Sequence, residues 1–122
     1  MDASGDPLVG AERSEALEFA ASTLLERLSP TERAAYVLRE AFEYPYGRIA
    51  AIVGVKEQNA RQLVSRARKH LAVESACRKA VNDAEQKRLF QAFVAAAQGD
   101  LRPLETVFAK NTVGTGGIAM AA

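Results

Sequence analysis

The chain has 122 residues, 48% of them apolar and 25% charged, with a formal net charge of +1, which is the size of one ordinary domain or two very small ones and the balance of a chain with a packed core. Aromatics at 7% and the lack of Trp leave that core to Leu, Val, Ile and Ala, a composition that favours helices over a β-sandwich. The single cysteine, Cys77, excludes an internal disulfide framework and a Cys-based zinc site and fits a reducing cytoplasm.

The first residues, MDASGDPLVG, read as a flexible lead-in over 1–11, without the basic start and apolar stretch of a signal peptide. A helical pattern starts at about Glu12, where Leu17, Ala20, Ala21, Leu24 and Leu28 recur at three- and four-residue steps. Ser29-Pro30-Thr31-Glu32 opens a second helix: Ser29 suits the cap, Pro30 the first helical position, and Glu32 can reach back as the capping-box acid. Ala34, Val37, Leu38, Ala41 and Phe42 continue it on one face, and it stops near Tyr44-Pro45, since a proline disfavours helix at the preceding residue. A third helix is expected from about Pro45 to Val53, with Tyr46, Ile49, Ala50 and Val53 as its stripe and Gly54 as its terminator.

The fourth helix begins near Lys56 or Glu57 and runs past Leu71, burying Ala60, Leu63, Val64, Ala67 and Leu71. A break follows at 81–83, where Asp83 with Gln86 makes a second capping pattern ahead of Leu89, Phe90, Phe93, Val94 and Ala97. Gly99-Asp100 then turns the chain into a short helix ending near Phe108. No apolar run approaches the roughly 20 residues of a membrane span. The expected fold class is all-α.

Charge is segregated along this order. Residues 1–44 carry nine acids and four bases, residues 45–82 two acids and eight bases, and residues 83–122 four of each. A basic middle in a balanced chain suggests a local anion-binding surface, although a solvated helix face has the same composition. The spacing of 45–71 is that of a helix-turn-helix, whose two helices cross around a three- or four-residue turn and whose second helix enters the DNA major groove. Ala50 and Ala51 are small, as a close crossing requires.

Early positions of such a helix face the groove and later ones the backbone, so base reading falls to Glu57, Gln58, Asn59, Arg61 and Gln62. Gln and Asn can pair with an adenine edge, and Arg can be bidentate to guanine. Phosphate anchoring falls to Ser65, Arg66, Arg68 and Lys69, with Arg48 and Lys56 beside them. The competing reading is an amphipathic helix with a solvated basic face. His70 reads as a phosphate neighbour or solvated residue, Cys77 as a half-exposed thiol, and Tyr44 and Tyr46 as packing for the turn. No Ser/His/Asp order, paired carboxylates or phosphate loop points to catalysis.

Residues 25–71 closely resemble region 4 of extracytoplasmic-function (ECF) sigma factors. The resemblance is carried by Leu28-Ser29-Pro30, Glu32-Arg33, the Tyr46…Ile49-Ala50…Val53-Gly54 frame and Ser65-Arg66-Ala67-Arg68. It implies a four-helix DNA-binding domain over 12–80, without enzymatic activity, cofactor or metal, acting in the cytoplasm in transcription initiation. Its recognition helix would bind the promoter −35 element, and its other helices would form an apolar cup for the β flap of RNA polymerase. An anti-sigma factor or an intact sigma region 2 is a further implied partner.

Residues 83–109 resemble the opening helices of a SnoaL-like domain, which some of these sigma factors carry after region 4. Gly114-Thr115-Gly116-Gly117 stands where that subgroup has a Gly-rich motif, so 83–122 is expected to be the truncated start of such an extension. The chain departs from the family in lacking a counterpart of region 2. It also has Gly47 and Arg48 where acids are usual, and Lys56 where a Ser or Thr cap is frequent. Two other readings stay open: a stand-alone LuxR-type helix-turn-helix regulator, and a module that binds polymerase or another sigma factor but not DNA.

Overall fold

The computed structural model describes residues 7–73 and 80–109. Among them it has α1 (Pro7–Arg27), α2 (Pro30–Glu40), α3 (Tyr46–Val53), α4 (Glu57–Ala72) and α5 (Asp83–Ala97). A short α6 follows at 102–109, and no strand is present among the described residues. Cys77 and the Gly114–Gly117 motif lie outside them. No described helix is long and apolar enough to cross a membrane.

Local chemistry sets most of the boundaries. At Ser29 the expected capping box is complete: the hydroxyl accepts the Glu32 N–H at 3.3 Å, and Glu32 Oε1 accepts the Ser29 N–H at 3.1 Å. Gly54 ends α3 at φ 83°, its N–H on the Ala50 carbonyl at 2.8 Å, and leaves Gly54-Val55-Lys56 as the turn before α4.

Three boundaries differ from expectation. α1 starts at Pro7 rather than near Glu12, because a proline is tolerated in a first turn whose N–H groups lack helical partners. α2 ends at Glu40, short of Ala41 and Phe42. Glu43 takes a left-handed φ of 57°, and the Glu43 and Tyr44 N–H groups take the Arg39 and Leu38 carbonyls. The cap of α5 is Asn82, not Asp83: its side chain accepts the Glu85 N–H at 3.0 Å, which leaves Asp83 in the first turn, where a negative charge suits the helix dipole.

α2 packs on α4 and α3, α3 on α4, and α1 chiefly on α5. Leu28, Leu38, Ile49, Val53, Val64, Leu104 and Phe108 are fully buried, and each larger aliphatic side chain so placed contributes about 1.5–3 kcal/mol. Of the stripe expected on α4, Ala60, Leu63, Val64 and Ala67 are buried and Leu71 half-buried. On α5, Leu89 and Phe93 are buried, Phe90 packs half-buried, and Ala92 and Ala96 take the inward places expected of Val94 and Ala97. These residues, with Leu104 and Phe108, share one continuous core with α1–α4. Residues 83–109 therefore pack against α1 and share its core with α2–α4.

Candidate nucleic-acid interface

The geometry of the site follows from how α4 is seated. Ala60, Leu63, Val64 and Ala67 turn inward against α2 and α3, so the 3.6-residue period forces the polar residues between them outward. Arg27 secures the far end of the helix, its Nη1 donating to the Leu71 and Val73 carbonyls at 3.2 Å each. A cation there suits the negative end of the helix dipole.

All the residues that sequence reasoning assigned to DNA are exposed: Arg48, Lys56, Glu57, Gln58, Asn59, Arg61, Gln62, Ser65, Arg66, Arg68 and Lys69. They do not form one uniform face. Gln58, Gln62, Ser65 and Lys69 recur at four-, three- and four-residue steps on one stripe, with Asn59 and Arg66 beside it. Lys56, Arg66 and Lys69 form no ion pair with any other described residue. Lys56 makes no side-chain capping bond, so the first N–H groups of α4 stay open to an outside acceptor.

The remaining three cations are held within the protein. Arg61 Nη2 bonds Glu57 Oε2 at 3.1 Å, and its guanidinium lies 4.6 Å from the Tyr46 ring centroid. Arg68 is ion-paired with Glu40 at the end of α2, and that hydrogen bond raises the guanidinium's already high pKa further. Arg48 pairs with Glu105 of α6 at 3.3 Å and lies 5.8 Å from the Tyr44 ring centroid. Each is still more than half exposed, so a phosphate could compete for it.

Sequence reasoning missed Glu40, Glu105 and the ring of Tyr46. Only the Glu57–Arg61 pair had a local signal, its i,i+4 spacing. It also missed the place of His70, whose Nδ1 lies 3.1 Å from Glu32 Oε1, the capping-box oxygen. Behind α2, Arg33 is 3% exposed: its Nη1 donates to the Leu28 carbonyl at 3.0 Å, while its Nε finds no partner. Burial pulls its pKa down, and the charge of Glu85 opposes this.

α1, α2 and α5 enclose an apolar groove of about 420 Å³, lined by Leu17, Leu24, Tyr36, Val37, Phe42 and Phe93 among others. Its walls come from residues far apart in sequence, including α5.

The family model for sigma-70, region 4 matches residues 19–71. The chain is 36% identical over 117 residues to the ECF RNA polymerase sigma factor SigJ of Mycobacterium tuberculosis, a match covering 95% of this chain and 37% of that protein. It is 35% identical over 112 residues to a probable ECF RNA polymerase sigma factor, SigI, of the same organism, covering 91% of this chain and 38% of the relative. The chain thus spans less than two fifths of the length of these relatives. No solved structure matches it.

Proposed function

We propose that residues 19–71, which match the family model for sigma-70, region 4, act as a region 4 domain, and that the chain recognises a −35-like promoter element as part of an ECF sigma factor. The observation that carries this reading is the seating of α4. After the three-residue turn Gly54-Val55-Lys56, the helix buries its apolar side and exposes every polar and cationic residue from Glu57 to Lys69.

In this reading Glu57, Gln58, Asn59, Arg61 and Gln62 meet base edges. Arg48, Lys56, Ser65, Arg66, Arg68 and Lys69 meet phosphates. The open N-terminus of α4 suits a phosphate, which would also neutralise the Lys56 charge that otherwise opposes the helix dipole. The apolar groove between α1, α2 and α5 suits an apolar segment of the polymerase, the β flap. Residues 83–109 are read as the start of a SnoaL-like extension. The matches to SigJ and SigI cover more of the chain than region 4 alone, so they reach into this segment.

Selecting duplexes from a random library with the 122-residue chain, and titrating the winner against a scrambled duplex, tests the DNA reading. A preference for the selected duplex is expected, with a log–log salt slope near −4 to −5 if about five cations meet phosphate. Salt-independent or absent binding would reject it. Pull-down of the β flap separates this reading from a LuxR-type regulator, which need not bind polymerase. A module that binds polymerase without DNA gains support from the engagement of Arg48, Arg61 and Arg68 by carboxylates. It predicts flap binding with no duplex affinity.

A further inference from the structure

We propose that Tyr46 is a positioning residue for base recognition, its ring holding the Arg61 guanidinium in the orientation from which it reads a base edge; this rests on the DNA-binding reading above. Tyr46 is the first residue of α3 and half-buried, so its ring is placed by the fold rather than by solvent. Two guanidinium groups lie against that ring, Arg39 at 4.3 Å and Arg61 at 4.6 Å from its centroid. Arg39 is itself anchored, since its Nη1 donates to the Tyr44 carbonyl at 3.0 Å.

The chain of support therefore runs from the α2–α3 turn through Arg39 and Tyr46 to the first turns of α4. Glu57 alone could not fix Arg61. Both side chains of that pair are more than half exposed, and an exposed i,i+4 pair leaves a long side chain many rotamers.

The two contacts also differ in what they consume. The carboxylate of Glu57 occupies an N–H donor of Arg61, whereas the ring face attracts the cation without taking any. A guanidinium resting on Tyr46 keeps its donor fork open for the O6 and N7 acceptors of a guanine. Pre-orienting it also removes part of the ordering cost of binding.

The test titrates Tyr46→Leu and Tyr46→Phe variants of the full chain, at fixed salt, against the duplex selected by the unmodified protein and a scrambled one. Tyr46→Leu is expected to lower the preference for the selected duplex about two- to fivefold, the loss of an exposed cation–π contact, and to leave scrambled-duplex affinity unchanged. Tyr46→Phe keeps the ring face and should retain the preference. In an Arg61→Ala background Tyr46→Leu should cost nothing more. Circular dichroism checks folding, and Tyr46→Met replaces Tyr46→Leu if the latter loses helix. An undiminished preference in the folded Leu or Met variant, or an equal further loss without Arg61, overturns the proposal. Failure of the unmodified chain to select any duplex instead rejects the DNA reading itself, and this assignment with it.

Discussion

Glu40, at the last position of α2, holds the guanidinium of Arg68, 28 residues further along the chain on α4. An exposed ion pair of this kind does little for stability, but it places a carboxylate beside a cation assigned to phosphate. Glu40→Gln should tighten binding to selected and scrambled duplexes alike by a few-fold at low salt, and leave the melting temperature unchanged. Fluorescence anisotropy titrations checked against thermal melts test this, and unchanged affinity would remove Arg68 from the phosphate contacts.

Arg61 and Lys69 should fail in different ways. Arg61 lies in the early part of α4 against Tyr46, and Lys69 is about two turns on, without an ion-pair partner among the described residues. Arg61→Ala should cost about 1–3 kcal/mol on the selected duplex and relax base preference, whereas Lys69→Ala weakens all duplexes alike and makes the salt slope shallower by about one. Competition titrations at several salt concentrations separate the two. Equal losses for Arg61→Ala on selected and scrambled DNA would refute its base-reading role.

The Tyr44 phenol links the α2–α3 turn to α6 by donating to Glu105 Oε2. Burial first, then this hydrogen bond and the carboxylate's charge, push its pKa up to about 12, with Arg48 opposing. Because the folded value lies above the unfolded one, the stabilisation is whole below about pH 10 and is lost as pH rises through about 12. A tyrosinate absorbance titration should show one late-ionising phenol that the Tyr44→Phe variant lacks. That variant's melting temperature should also fall less between these pH values than that of the unmodified chain.

The box at the start of α2 carries more than a helix end, since Glu32 also meets His70 of α4. Ser29→Ala removes the acceptor for the Glu32 N–H and should destabilise the chain by about 1 kcal/mol. Urea unfolding followed by circular dichroism measures this, and Ser29→Asp, which preserves an acceptor, should recover most of it.

What the sequence by itself determined are the features whose causes lie within a turn or two of one another. The Ser29–Glu32 box, the Gly54 stop, the three-residue turn and the inward stripe Ala60, Leu63, Val64, Ala67 were all legible, because capping and 3.6-residue periodicity act over three to five residues. The exposure of every α4 residue assigned to DNA followed from that same stripe. Even locally, the α2 end escaped because a left-handed Glu43 has no strong composition signal.

Apart from the local Glu57–Arg61 pair, tertiary structure alone decided which of those exposed cations are already engaged. Glu40 reaches Arg68, Glu105 reaches Arg48 and Tyr44, Arg27 reaches the end of α4, and Tyr46 lies under Arg61. These partners are separated by 15 residues or more in sequence and meet only because α2 and α3 pack on α4 and α5 packs on α1. A side chain's charge is written in the sequence, but its partner depends on which helix faces reach each other across the core.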